Sequence, residues 1–306
     1  MPELKALRAA VRRGLYPLCW IYLAVMGWHV HLSAIAPETA SLVFTGTLVA
    51  VCILLELVIP YQRLWSMTWR SFFTDLVYIA LNASTLAAIT ALFGLAAIRL
   101  AGDANGIAAA WPFWAQCAVI LLVFEAINYT IHRAMHEGRG RFGAFLWRVH
   151  AAHHMPDRVY VVMHAVFHPL NAVILRPLAM ILPVWVLGYD PLVVTLFVMV
   201  NGMHGLVSHF NVDLRMGWFN YLFVGPELHR YHHSANFDEA KNYGATLSVY
   251  DQIFGTFVYR PGVPPERLGV PASLGFPHYR KILSIMKLPF AAPRSRGVAD
   301  GAGAAE

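Results

Sequence analysis

His150-Ala-Ala-His153-His154 and His229-Arg-Tyr-His232-His233 are two copies of one pattern, His-x-x-His-His, and His132 and His136 repeat its i, i+4 spacing. On a helix, positions i, i+3 and i+4 share a face, so each triplet offers two or three ring nitrogens to one region of space. His204 and His209 add two more, and clustering at these spacings argues against a merely solvated or capping set. Ten imidazoles exceed the needs of one metal. A structural zinc takes four ligands and a catalytic zinc usually three, whereas two ions of five or six coordination use eight to ten nitrogens and leave positions for oxygen. The count favours a dinuclear site. Imidazole binds iron, zinc, copper and nickel, so ligand type alone does not choose the metal. Zinc has no redox chemistry, and iron with open positions for dioxygen is the expected choice.

Such a site needs helices to hold it, and the composition supplies them in a form suited to a membrane. Of 306 residues, 58% are hydrophobic and 13% charged, with a mean hydropathy of +0.52; soluble domains average about 25% charged. The apolar residues gather into runs long enough to cross a hydrocarbon core of about 30 Å, which takes about 20 helical residues. These runs predict spanning helices over Leu15–Ala36, Ser41–Ile59, Asp75–Ile98 and Ala109–Ile131. A further apolar block, Val159–Ser208, is broken at Gly188-Tyr189-Asp190-Pro191 and reads as a membrane hairpin. Lys5, Arg8, Arg12 and Arg13 resemble the start of a signal peptide, but the run after them is too long and lacks a convincing cleavage site, so it is expected to stay as the first helix.

Charge placement orients the chain. Of the 23 Lys and Arg residues, all but Arg99 and Arg176 lie before the first run, between Arg63 and Arg70, between Arg133 and Arg158, or after His209. The loops near Glu38, Asp103 and Asp190 are nearly free of positive charge. By the positive-inside rule both termini and all the clustered histidines face the cytoplasm, with a bacterial inner membrane as the expected location. The expected fold is therefore an all-α membrane protein of about four transmembrane helices plus a membrane hairpin, under a cytoplasmic helical cap that carries the metal site. A helix from Trp111 to His136 would be about 39 Å long, about two turns more than a bilayer core needs, so His132 and His136 would emerge just above the membrane. The net charge of +6 fits a basic face against anionic lipid and calls for no nucleic acid. Cys19, Cys52 and Cys117 are isolated in apolar segments, which supports neither a disulfide framework nor a thiolate metal site. One domain is expected over residues 1–292, with a Pro-rich loop from Pro261 to Pro271 on the cytoplasmic face and a disordered Gly- and Ala-rich tail over 293–306.

The histidine boxes resemble those of the fatty acid hydroxylase superfamily, also called the sterol desaturase family, of integral-membrane di-iron enzymes. Glu125–His136 (EAINYTIHRAMH) is similar to the first box, Leu146–His154 (LWRVHAAHH) to the second and His229–Ser234 (HRYHHS) to the last, while Asn242–Phe257 (NYGATLSVYDQIFGTF) resembles the closing signature. Together these span residues 118–260. Glu125 stands where the family usually has Asp, Asn128 and Thr130 where aromatic residues are usual, and Met155 where Ser is frequent. His209-Phe210-Asn211 matches a His-x-Asn element, and His204, five residues earlier, gives a spacing closer to the bacterial carotenoid hydroxylase branch.

The resemblance implies two iron ions (Fe2+/Fe3+) held by these ten histidines, and oxidation of a lipid C–H bond by dioxygen. Hydroxylation is most frequent in the superfamily; some branches desaturate or cleave ether lipids. The chain has no Rossmann glycine pattern, thiolate cluster or haem-attachment CxxCH, so electrons are expected from an external ferredoxin, cytochrome or reductase. A carotenoid or sterol hydroxylase or desaturase is the alternative within the superfamily. A membrane metal-binding or transport protein is the alternative from another class, disfavoured because the histidines lie on one side and the first four spans are nearly uncharged.

Behind the ligands, Glu125 lies two turns before His132 and is placed to accept from a ligand's second nitrogen, or to pair with Arg176. Asn211, Asn242 and Asp251 lie beside motif histidines and are candidates for the same supporting role. His164 and His168 stand in an apolar run and read as helix-packing or substrate-channel residues, although His168-Pro169 is similar to a family His-Pro element. Glu56 and Asp75 are expected to be solvated at the interface, and His29, His31 and His278 carry no motif.

Overall fold

Proline, glycine and polar caps set where each apolar run becomes helix. The computed structural model describes residues 2–100 and 106–291, with side chains described outside 93–100; the tail expected over 293–306 lies outside the described residues. The first four runs form α1 (Pro2–His31), α2 (Pro37–Val58), α3 (Trp69–Leu100) and α4 (Phe113–Glu137). α1 starts earlier than expected and takes in the basic residues; it ends at His31 rather than Ala36, just before Ser33 adopts a positive φ of 56°.

Among the described residues, five segments are long and apolar enough to cross a membrane: Pro37–Val58, Trp69–Leu92, Phe113–Glu137, Pro169–Leu187 and Pro191–Ser208. The chain is therefore nearly all helical and built for a membrane, as its composition requires. α1 is less apolar and is not one of the five, yet it packs against α2 and the Pro191–Ser208 segment through Tyr16, Leu23 and Met26. Outward side chains such as Leu42, Leu54, Leu57 and Phe73 are exposed, which suits helices solvated by acyl chains.

The hairpin begins ten residues later than its apolar run, at Pro169 rather than Val159. Residues 161–165 form a single 3-10 turn instead, because a proline ring is tolerated in the first helical turn but not in the interior. His168 caps the new helix by accepting from the Leu170 N–H at 3.1 Å. The first arm runs through α6 (Pro169–Leu175), a π-helical turn over Arg176–Ile181, and α7 (Leu182–Leu187). Gly188 ends it in the left-handed region with φ 63°, and Asp190 caps α8 (Pro191–Ser208) by accepting from Leu192 N–H at 2.7 Å.

α4 leads directly into α5 (Gly140–His154), and short helices α9 (Pro226–His232) and α10 (Val249–Ile253) follow α8 within long loops. α11 (Ile282–Lys287) closes the described chain. Among the described residues there are no strands, only isolated bridges such as Phe223 with Leu247 and Ser234 with Leu268.

Candidate metal centre

Four helices end at one place, and the histidines sit at those ends. His132 and His136 occupy the last turns of α4, His150, His153 and His154 the last turn and a half of α5, His209 the C-cap of α8, and His229, His232 and His233 the end of α9. Each C-terminus carries about half an elementary negative charge in unpaired carbonyls, so this convergence favours a cation.

The nine rings separate into two groups. His132, His136, His150, His154 and His232 form one, and His153, His209, His229 and His233 the other; within each, one nitrogen per ring lies within 4.8 Å of all the rest. The adjacent pairs His153-His154 and His232-His233 divide between the groups, which is why each box carries two consecutive histidines. His204 belongs to neither group. Its Nδ1–H donates to the Val224 carbonyl at 2.9 Å and its Nε2 meets the Tyr16 hydroxyl at 3.4 Å, so the structure brings together nine of the ten expected ligands.

The far side of five rings is fixed. His132 Nδ1–H donates to the Tyr243 carbonyl at 2.7 Å, His150 to Asn171 Oδ1 at 2.9 Å, His153 to the Val166 carbonyl at 3.1 Å, His209 to the Gly205 carbonyl at 2.8 Å and His232 to the Lys241 carbonyl at 2.9 Å. With the proton on Nδ1, Nε2 presents only a lone pair. Yet the Nε2 atoms of His132 and His150 are 2.9 Å apart, and those of His153 and His209 3.1 Å. Facing lone pairs at this distance repel unless a cation lies between them. His136 Nε2 and His232 Nε2 are also buried without a hydrogen-bond partner, a state native interiors avoid.

The residues therefore fit metal ions, and the spacing points to a coordination geometry. Two nitrogens each about 2.1 Å from one ion lie about 3.0 Å apart at a right angle and about 3.4 Å apart at a tetrahedral angle. The close Nε2 pairs, including His150 with His154 at 3.0 Å, His209 with His229 at 3.0 Å and His229 with His233 at 3.1 Å, match the right angle of five- or six-coordinate ions. Protonation agrees. Burial, joined by the neighbouring imidazoles, pushes His150, His153, His154, His209, His229 and His232 well below the usual histidine range, and His233 to about 3, so these rings are neutral at pH 7.

Among the described residues, none of the four expected supporting residues hydrogen-bonds to a ring of either histidine group. Glu125 also makes no ion pair with Arg176; its fully buried carboxylate accepts from the backbone N–H groups of Ala245, Thr246 and Leu247, each at 2.7 Å. Asp251 accepts from the N–H groups of Tyr243 at 2.7 Å and Gly244 at 2.8 Å. Burial raises its carboxyl to about 6, against the pull of those hydrogen bonds. The two carboxylates thus pin a strap, residues 241–247, whose carbonyls at Lys241 and Tyr243 hold His232 and His132. Asn242 sits in this strap at φ 59° and ties it down by donating to the carbonyls of Leu228 and Val258. Asn211 braces a different joint, through Gln62 and Glu56.

Glu56 and Asp75 are buried rather than solvated. Glu56 accepts from the N–H groups of Val161 and Asn211, and Asp75 from the Tyr160 hydroxyl at 2.6 Å, so helix ends that composition placed in water are joints of the core.

Asn171 and His164 are the residues that spacing did not reveal. Asn171 holds His150, and its only sequence signal is a polar side chain in the first turn of an apolar span, three residues after a capping histidine. The His164 ring lies 4.9 Å from that of His209, and its Nδ1 is buried without a partner. It is seated against Gly205, where a Cβ would approach it to 2.6 Å, so no larger residue fits there.

Known proteins are similar to this chain. The chain is 33% identical over 232 residues to an ornithine lipid hydroxylase of Rhizobium tropici, covering 72% of this chain and 68% of that protein. A fatty acid hydroxylase of Lecanicillium sp is 28% identical over 182 residues, 52% of this chain and 47% of that one. An alkylglycerol monooxygenase of Danio rerio is 26% identical over 153 residues, 48% of this chain and 31% of that one. No solved structure matches. The sequence profile named fatty acid hydroxylase matches residues 117–256, which contain all nine clustered histidines and the strap that braces them, and the chain belongs to that family.

Proposed function

We propose that this protein is a membrane-bound di-iron oxygenase that hydroxylates a C–H bond of a lipid, with desaturation as the related outcome. Membership of the family makes it an oxidoreductase, since its relatives are named as lipid hydroxylases and monooxygenases. The observation that carries the finer reading is the division of nine buried, neutral imidazoles into groups of five and four, each with nitrogens about 3 Å apart.

One iron is held by His132, His136, His150, His154 and His232, and the other by His153, His209, His229 and His233. Bound there, the irons supply the activation of dioxygen that breaking an unactivated C–H bond requires. The chain's own residues do the rest. The backbone carbonyls of residues 166, 205, 241 and 243 and the Asn171 amide fix the ring tautomers and orientations. The apolar spans hold the acyl chains, and the loops above them exclude bulk water. Neutral nitrogen ligands and a right-angle spacing favour iron over tetrahedral zinc.

Both termini and the helix ends that carry the histidines face the cytoplasm of a bacterial inner membrane, where a ferredoxin, cytochrome or reductase delivers electrons. The relative named for ornithine lipid directs the substrate search to lipids that carry an amino acid.

Metal analysis of anaerobically purified protein tests the reading: about two irons per chain are expected, and a stable single zinc would overturn it. Lipid extracts from cells with and without the protein should differ by one oxygen, or by two hydrogens for desaturation.

A further inference from the structure

Arg176 is a charge in the wrong place. It lies in the first arm of the membrane hairpin, away from the basic face that holds nearly every other cation. Among the described residues no carboxylate lies within ion-pair distance of its guanidinium; its one hydrogen bond goes to the Met180 thioether, at 2.7 Å. A thioether is a weak acceptor, and a guanidinium carries five donors in a rigid fork built for a carboxylate or phosphate. A charged side chain at membrane depth without a partner is costly, and such residues mark binding or transfer sites.

Its surroundings point the same way. The π-helical turn begins at Arg176, and single π turns in otherwise regular helices are frequent at functional sites because they re-aim side chains. The turn packs against α4, the helix that carries His132 and His136. The guanidinium also lies close enough to His164 for its charge to act on that ring. His164 in turn packs against His209 of the four-histidine group. An unpaired cation therefore stands near a site that itself gathers cations, in a region of low dielectric where like charges repel strongly. An anion between them relieves both.

We infer that Arg176 binds an anionic oxyacid group of the lipid substrate, a carboxylate or a phosphate, and so holds the carbons next to that group beside the four-histidine site. This rests on the oxygenase reading and narrows it: the substrate is an acidic lipid oxidised close to its acid group, rather than a sterol, a carotenoid or a neutral ether lipid. Arg176 is a specificity determinant here and not a metal ligand. If it were instead a cation snorkelling to the interface, it would not distinguish an acid from its ester.

The test is a binding measurement on the metal-loaded protein in detergent without dioxygen, read by quenching of tryptophan fluorescence with a dibrominated acyl chain. The chain is presented as the free carboxylate, the phosphate monoester and the neutral methyl ester. Loss of a charge-assisted hydrogen bond costs at least about tenfold in affinity. The wild type should bind at least one anionic form about tenfold or more tighter than the ester, and the preferred form identifies the headgroup chemistry. Arg176→Met should bring the anionic forms down to the level of the ester, while Arg176→Lys should keep a reduced preference. Metal per chain is measured on every sample, so that a failed metal site is distinguished from a failed lipid site. Equal binding of acids and ester by the wild type would overturn the inference with no variant needed, as would an undiminished acid preference in Arg176→Met protein that keeps its metal.

Discussion

Replacing Glu125 separates support of the metal site from the metal site itself. Its carboxylate is fully buried and accepts three backbone N–H groups at 2.7 Å, from Ala245, Thr246 and Leu247. Each hydrogen bond to a charged group contributes about 1.5–3 kcal/mol. The three share one carboxylate and the strap relaxes when released, so their sum overstates the loss; Glu125→Ala is expected to cost about 3–5 kcal/mol, the range for breaking a buried charged interaction. Glu125→Gln keeps the shape and one acceptor oxygen but turns an N–H2 toward backbone donors, and should cost about 2 kcal/mol.

The effect on metal should be selective. Releasing residues 245–247 loosens Tyr243, whose carbonyl holds His132 at 2.7 Å, and His132 belongs to the five-histidine group. Losing support behind a ligand lowers metal affinity by about 10–100-fold. His153 and His209 of the other group are held by the Val166 and Gly205 carbonyls, far from the strap in sequence. Glu125→Gln protein dialysed against a mild chelator should therefore fall from about two metals per chain to about one, and should aggregate at a lower temperature. Retention of both metals with the chelator resistance of the wild type would refute the idea that Glu125 positions His132; loss of both together would show that the groups are not independently supported.

Other outcomes follow from the same geometry. His153→Ala and His232→Ala should each lower metal content and abolish lipid oxidation, because one comes from each group, whereas His278→Ala should change neither; metal analysis and lipid mass spectrometry decide. His204→Gln should leave metal content unchanged and cost only about 1–2 kcal/mol for its bonds to Tyr16 and Val224, and a loss of one metal would restore His204 as a ligand. The metal-free protein should lose stability in acid. Its cap histidines have folded pKa values held below the unfolded value of about 6.5, so the stability they contribute is present above that pH and is lost as pH falls toward the folded values, His233's being about 3. Thermal aggregation of the metal-free protein at pH 7.5, 6.5 and 5.5 should move to lower temperature in that order, and the reverse order would refute the assignment of neutral rings.

The sequence exposed whatever repeats at a fixed spacing. Eight of the nine clustered histidines were legible because i, i+3 and i+4 spacing places them on one face of a helix end, His209 was legible only through its His-x-Asn element, and the spans were legible because crossing a membrane demands a long apolar run. His204 matched a motif spacing yet faces Tyr16, since five residues rotate a side chain well past the face that His209 occupies. The supporting contacts were not legible, because most of them use backbone groups that carry no residue signature, at separations that run from 4 positions, His209 to Gly205, to 122, Glu125 to Leu247. Asn171 carries no spacing signal, and His164 reads from the sequence only as a helix-packing or substrate-channel residue; Pro169 delays the helix and turns the loop that holds His164 into a wall of the site.

Charge explains why the site is built this way. Both groups contain only histidine, and burial keeps these rings neutral, so two divalent ions placed there would keep their full charge. The structure answers that charge with four helix C-termini, each worth about half a negative charge, and with carbonyls on the far ring nitrogens. The buried carboxylates Glu125 and Asp251 spend their hydrogen-bonding capacity on the strap and never reach the metal positions. A centre left positive in this way attracts anions, and the unpaired guanidinium of Arg176 extends the same field toward the membrane. An acidic lipid entering from the bilayer thus meets a favourable field on its way in, whereas discrimination between an acid and its ester rests on the contact with the Arg176 guanidinium.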